Sequence, residues 1–161
     1  MTNEPDATAA TAETTVATTE VTAATSDAPT ATSGAISLDQ AFASFDALWS
    51  PRIATTVNDY DVRLTKVQGE HLWHVHDDTD EFFLVLGGEL HIDLREPAGE
   101  RRVTLPQGSL FTVPRGTEHK PSAPDGARLL LFEPSGTSTV GDRHDEVPDH
   151  VDATTGHRLA G

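Results

Sequence analysis

Hydrophobic and polar residues alternate along most of the chain after residue 51, as they do in β-strands that bury one face. Gly, Pro, Asn and Asp separate the alternating stretches and keep each of them short. The predicted strands cover residues 52–57, 60–67, 71–76, 81–86, 89–95, 101–105, 109–113, 117–121 and 127–133. Many short strands at close, regular spacing predict an all-β fold, either an antiparallel barrel or a jelly roll.

One amphipathic helix is predicted in front of the strands, over about residues 37–49. Ser37 and Gln40 have the spacing of a capping box. Apolar residues then recur at helical intervals: Leu38, Phe42, Phe45 and Trp49. Pro51 ends this pattern, so the helix is short.

Composition places the folded domain in the middle of the chain. Residues 1–35 contain 11 Thr, 10 Ala and five acids but no Lys, Arg or aromatic residue, a composition that predicts a disordered tail. All nine aromatic residues lie between Phe42 and Phe132. We therefore expect a single β-barrel domain over residues 36–142, followed by a flexible C-terminal tail over residues 143–161.

Charge and residue usage exclude several classes of function. The 26 acids and 11 bases give a formal charge of −15, which disfavours binding to nucleic acid. The longest apolar run is too short to span a membrane, and we expect a soluble, cytoplasmic protein without a membrane partner. Because the chain has no Cys, any metal must be held by His and carboxylate side chains.

Gly87 and Gly88 have the sequence of a two-residue hairpin loop. That register places three pairs on one face, which we interpret as the barrel interior: Val85 with Leu90, Phe83 with Ile92, and Glu81 with Leu94. The interior wall of a substrate pocket would then consist of Phe83, Val85, Leu90 and Ile92. The opposite face carries Phe82, Leu84 and Leu86, which need a cover from either the helix or a second subunit.

Four ionisable residues are candidates for a site inside this barrel. His74 and His76 lie two residues apart on a predicted strand, so both imidazoles project from the same side. Glu81 opens the next strand, and a buried carboxylate needs a cationic partner. His119 follows a tight turn formed by Pro114 and Gly116.

These residues give the chain a resemblance to the cupin superfamily. The first cupin motif is matched by His74-x-His76-x4-Glu81-x6-Gly88, with Gly69 one residue closer than usual. The second is matched by Gly108, Pro114, Gly116 and His119, while Ala123 replaces the final Asn. The chain is similar to small bacterial cupins labelled mannose-6-phosphate-isomerase-like. The resemblance implies a cupin jelly roll with one metal and a homodimer.

The same four residues form a donor set for one divalent transition metal, which could be Mn, Fe, Co, Ni or Zn. We expect a metal-dependent enzyme of dioxygenase, isomerase or lyase type that acts on a small polar or anionic molecule. Glu81 could also serve as a catalytic base. The alternative is a non-catalytic sensor or binding module with a structural metal. The remaining histidines are expected at the surface, at an interface or in the tail: His71, His91, His144, His150 and His157.

Overall fold

The structure is a computed structural model that describes residues 34–160. Almost all of the predicted disordered tail, residues 1–33, lies outside the described residues. Within residues 34–160, one helix, α1 (Leu38–Ala43), precedes nine strands: β1 (Arg52–Val57), β2 (Tyr60–Glu70), β3 (His74–Val75), β4 (Glu81–Glu96), β5 (Gly99–Pro106), β6 (Leu110–Val113), β7 (Glu118–Pro134), β8 (Arg143–His144) and β9 (His157–Arg158). No helix among the described residues is long and apolar enough to cross a membrane.

The two longest strands, β4 and β7, form the centre of the sheet and pair antiparallel with each other. The main order of strands is β5-β4-β7-β2-β1-β9. The three remaining strands lie off this path: β3 pairs with β7 and β8, and β6 pairs with β4. Among the described residues no pairing joins β5 to β9, so the sheet is not closed. The all-β prediction with one short N-terminal helix is confirmed, and the sheet is an open version of the expected barrel.

The prediction of a hairpin at Gly87 and Gly88 is wrong, because both residues lie within the continuous strand β4. They form a β-bulge against β7, where the pairing register shifts. Gly88 has φ +77°, and a Cβ atom there would lie 2.2 Å from the carbonyl oxygen of Gly126. The bulge shifts the alternation of buried and outward side chains by one residue, as a turn would. Odd-numbered residues before it and even-numbered residues after it are therefore buried, and Phe83 and Ile92 still share the buried face.

The helix ends at Ala43, earlier than the predicted residue 49. The hydroxyl and the backbone N–H of Ser44 both donate hydrogen bonds to the carbonyl oxygen of Ala41 and close the last turn. Trp49 instead adopts a left-handed conformation with φ +49°. Its indole donates a hydrogen bond to the Gln68 carbonyl at 2.8 Å, and the ring is buried in the main core.

Two hydrophobic clusters lie on opposite faces of the sheet. The larger one fills the interior, and the smaller one joins α1 to the outer face through Phe42, Phe45 and Leu64. Of the outward leucines, Leu86 packs beneath this helix, while Leu84 stays half-buried. The helix therefore covers only part of the outer face.

The segment predicted as a flexible tail lies against the sheet over the described residues 143–160. Strand β8 pairs with β3, and β9 runs parallel to β1. Val151 is buried in the main core, and Asp152 accepts a hydrogen bond from the hydroxyl of Ser50 at 2.6 Å. Packing therefore continues past the predicted boundary at residue 142, although few residues of this segment are apolar.

Candidate metal centre

The four candidate ligands lie on three neighbouring parts of the sheet. His74 on β3 is the cross-strand neighbour of His119 on β7, and Glu81 is the first residue of β4. His76 follows β3, and its carbonyl oxygen accepts a hydrogen bond from Gly116 at 2.7 Å. The turn of the second sequence motif thus fixes a histidine of the first motif.

All four side chains are buried, and one ligand atom from each lies within 4.8 Å of the others. Glu81 Oε2 lies at the centre. It is 2.7 Å from Nε2 of His119, 3.2 Å from Nε2 of His76 and 3.6 Å from Nε2 of His74. The structure therefore brings together every residue that the sequence predicted as a metal ligand.

Backbone carbonyls fix the tautomer of two of the imidazoles. Nδ1 of His74 lies 3.0 Å from the carbonyl oxygen of Leu72, and Nδ1 of His119 lies 2.9 Å from that of Thr117. Since a carbonyl can only accept, each Nδ1 carries the hydrogen and each neutral ring has a lone pair on Nε2. These lone pairs face the centre of the cluster, as they must in a histidine metal site.

The ionisable groups of the cluster perturb one another strongly. Burial lowers the pKa of His74. Burial also acts to lower the pKa of His76, but the negative charge of the nearby Glu81 outweighs it, so that pKa is raised. Burial alone would raise the pKa of Glu81, yet the neighbouring imidazoles hold it well below its usual range.

These contacts show that the cluster fits a metal cation. A carboxylate oxygen 2.7 Å from the Nε2 lone pair of His119 is repulsive unless a positive charge lies between them. Nε2 of His74 and Nε2 of His76 are buried, and neither has a hydrogen-bond partner among the described residues. Either protons or a divalent ion can supply the missing charge. Three imidazoles and one carboxylate suit a borderline transition metal.

Comparison with known proteins identifies the family. The family Cupin_2, described as "Cupin domain", matches residues 61–133. A cupin-2 domain containing protein from Shewanella frigidimarina, known from its crystal structure, is 40% identical, and the match covers 62% of this chain and 93% of that chain with a TM-score of 0.58. The chain belongs to the cupin superfamily.

Two further proteins resemble this cupin over shorter stretches. The uncharacterized protein YdbB of Bacillus subtilis is 42% identical over 64 residues, which are 40% of this chain and about half, 54%, of that protein. Hydroquinone 1,2-dioxygenase from Sphingomonas sp. TTNP3, crystallised with 4-nitrophenol, is 26% identical. That match covers 56% of this chain and 29% of the dioxygenase chain, with a TM-score of 0.51.

A cavity adjoins the metal cluster of this cupin. Its lining is mostly apolar but includes His74 and Glu81 from the cluster. Of the four predicted wall residues, Phe83 lines it. The other three, Val85, Leu90 and Ile92, are wholly buried in the core of the described chain instead. They lie further along β4, within the main hydrophobic core.

Several cavity residues were not predicted. The sequence pattern predicts Trp49 on the apolar face of the helix and His71 at the surface, at an interface or in the tail. The structure leaves His71 only 8% exposed, with its ring 5.0 Å from Trp49 and 4.9 Å from His74. Burial lowers the pKa of His71 to about 3, so the ring is neutral. Glu133 also lines the cavity, and burial together with the charge of Glu81 raises its pKa to about 8.

His91 lies on the outer face, as predicted, with Nε2 2.8 Å from a carboxylate oxygen of Glu89. The three C-terminal histidines are all exposed. His144 and His157 lie on β8 and β9, and His150 bonds to the Glu70 carbonyl at 2.7 Å. These four residues lie outside the cluster of potential metal ligands.

Proposed function

We propose that this cupin is a metal-dependent enzyme that acts on a small polar or anionic organic molecule. The observation that carries the proposal is the buried cluster of three histidines and one glutamate at the wall of an apolar cavity. His74, His76, Glu81 and His119 would hold one divalent ion from the group Mn, Fe, Co, Ni and Zn. A cluster that served stability alone would have no need of an adjoining cavity.

The protein side chains have separate roles in this proposal. His74 and His119, fixed by backbone carbonyls, would present their Nε2 lone pairs in a constant orientation. Glu81 would neutralise one of the two metal charges, which leaves a net charge of +1 to attract an electron-rich ligand. When bound, the metal supplies Lewis acidity and, for iron or manganese, redox chemistry. The apolar side chains of Phe83 and Leu131 would exclude water from the bound molecule.

Among the predicted reaction types, we favour a dioxygenase. The similarity to the Sphingomonas hydroquinone 1,2-dioxygenase supports this choice, since that protein shares the fold at 26% identity. Isomerase and lyase reactions remain the other possibilities for the same donor set. We further propose that Glu81 acts first as a ligand, because its Oε2 lies close to three imidazoles. Its additional role as a base stays a prediction.

Metal analysis and turnover assays test the proposal together. We expect about one divalent ion per chain in protein purified without a His-tag. Substrate consumption should then be measured with and without oxygen against 2-oxo acids, diketones, phenols and sugar derivatives. Consumption that requires both metal and oxygen, with both atoms of O₂ recovered in the product, would establish the dioxygenase. Stoichiometric metal without turnover of any compound would favour the sensor or binding module, and protein without metal would refute both.

We also propose that the protein is a cytoplasmic homodimer. The part of the outer face that α1 leaves uncovered includes Phe82 and Leu84, which are half-buried, and Leu110, which is 62% exposed. Tyr60 stacks on Phe132 at a centroid distance of 4.9 Å and extends this surface. Apolar surface of this kind is typical of subunit interfaces. Sedimentation should show a dimer that Leu110→Asp weakens, and a wild-type monomer at high micromolar concentration would refute it.

A further inference from the structure

Glu133 is a buried acid that the metal cluster does not use. It lies near the end of β7, is only 3% exposed and lines the cavity together with His74 and Glu81. Nη1 of Arg63 donates a hydrogen bond to its Oε1 at 2.8 Å. The Arg63 side chain is completely buried, and its Nη2 pairs with Asp61 at 3.1 Å. One oxygen of Glu133 is therefore fixed by a rigid, enclosed cation.

The second oxygen of Glu133 has no such partner. Among the described residues, Oε1 alone of the two oxygens makes a hydrogen bond. Oε2 is not fully enclosed by protein atoms either, so it borders open space. Since the residue lines the cavity, that open space is the cavity. Glu133 thus presents an unused acceptor next to the metal cluster.

Two other oxygen atoms on the cavity wall, Oε2 of Glu81 and Oγ1 of Thr139, are already engaged. Glu81 contacts the three cluster imidazoles. The hydroxyl of Thr139 donates to the Asp152 carbonyl at 2.7 Å and accepts from the Thr154 amide at 3.0 Å. An acceptor that faces an enclosed cavity can bond to a donor on the molecule that fills it, so the free oxygen of Glu133 is expected to have a ligand.

We propose that Glu133 Oε2 accepts a hydrogen bond from the molecule that occupies the metal site. The substrate would then bind the metal through one atom and carry an O–H or N–H group that reaches Glu133. This inference rests on the proposed function, because it requires a metal at the cluster. At a pH above the pKa of Glu133, which is about 8, its charge would repel a second acidic group on the substrate, so neutral hydroxyl compounds fit better than dicarboxylates.

Two small neutral ligands can test this contact in cobalt-loaded protein. Imidazole binds a metal through one nitrogen and carries an N–H on the other, whereas 1-methylimidazole lacks that hydrogen. The visible absorption of Co²⁺ reports the Kd of each. At pH 9, above the pKa of Glu133 of about 8, Glu133 is a carboxylate. We expect wild type at that pH to bind imidazole about tenfold more tightly, as one hydrogen bond to a charged acceptor would give.

The variant Glu133→Gln should remove this preference. Because Nη1 of Arg63 only donates, it holds the amide oxygen and turns the amide NH₂ toward the cavity. The cavity then offers a donor in place of an acceptor, and the ratio of the two Kd values should fall to about one. Bound cobalt should stay near one per chain, since Glu133 is not in the cluster.

Asp61→Asn is the matched control, because Asp61 pairs with the same Arg63 but is not among the residues that line the cavity. It should keep the tenfold preference. An equal loss in both variants would place the effect in the Arg63 network and overturn the proposal. An unchanged ratio in Glu133→Gln, or no binding of either ligand by cobalt-loaded wild type, would also overturn it. If Glu133→Gln does not fold, Glu133→Asp, whose carboxylate is one methylene shorter, should reduce the ratio.

A wild-type protein that binds no cobalt at all would instead refute the proposed function. The two failures are therefore distinguishable, because metal content is measured before either ligand is added. The melting temperature of each variant should also be measured. A variant with a lowered melting temperature must be compared with wild type at a temperature where it is fully folded, so that a change in the ratio of the two Kd values does not reflect unfolding.

Discussion

Metal binding should depend on individual imidazoles of the cluster. His76→Ala and His119→Ala each remove one donor and leave Glu81 with fewer partners for its buried charge, so each should lower metal content at least tenfold. Glu81→Gln keeps the shape of the side chain but removes its charge, and should retain part of the metal while losing turnover. Elemental analysis of the three untagged variants measures their metal content, and the assay described above measures turnover.

His91→Ala is the control for these substitutions. His91 lies on the outer face beside Glu89, so its loss should leave metal content unchanged. Equal metal content in wild type and all the cluster variants would mean that the histidines serve only stability.

The residues of the metal cluster could be predicted because a motif joins them in the sequence. His74, His76 and Glu81 are close together along the chain, and His119 follows a recognisable turn. Glu133 offered no such signal, because a single glutamate after an apolar strand resembles a surface residue. Its burial depends on Arg63, a partner 70 residues away that only the pairing of β2 with β7 brings near.

The bulge in β4 should be the most sensitive glycine position of the sheet. Gly88 and Gly69 have nearly equal φ angles, +77° and +78°, so alanine strains the backbone similarly at both, by about 1–2 kcal/mol. Only at Gly88 would the new Cβ also meet a carbonyl oxygen, at 2.2 Å. Gly88→Ala should therefore lower the free energy of unfolding by about 2 kcal/mol more than Gly69→Ala, measured by urea denaturation.

The sequence predicted the buried face of this strand correctly but not its path. Two glycines between apolar runs are compatible with either a turn or a bulge, and both reverse the alternation of side chains. The choice depends on the neighbouring strand β7, which pairs with β4 on both sides of the glycines. Similarly, helical spacing alone could not show that Trp49 leaves the helix to bury its ring in the core.

The C-terminal segment packs against β3, which carries His74 and leads directly into His76. Gly141 lies against Val75, where an added Cβ would be 2.4 Å from the carbonyl oxygen of Val75. Gly141→Ala should therefore displace β8 from β3 and weaken metal binding several-fold. Gly136→Ala is the control, since its φ of +87° is similarly left-handed and no atom of the described part of the chain lies within 4 Å of the new Cβ. Competition with a chromophoric chelator measures both affinities, and equal values would show that β8 does not support the site.

On the scale of the whole molecule, we predict that the first 34 residues are dispensable. Their composition of Thr, Ala and acids offers no apolar period that could join the core. A chain that begins at Ala35 should keep the melting temperature and metal content of the full chain. A truncated chain that precipitates or loses metal would show that this segment contributes to the fold.

The position of the cluster in the sheet determines whether a metal can bind before or only after the chain has folded. His74 and His119 become neighbours only through the pairing of β3 with β7, and these strands are distant in sequence. A newly synthesised chain therefore offers only short, incomplete sites such as His74 with His76, which copper would occupy before manganese or iron. The complete donor set exists only after folding, so the metal acquired depends on which ions surround the finished protein. Samples of the same chain that are produced with different metals in the growth medium should therefore contain different metal ions.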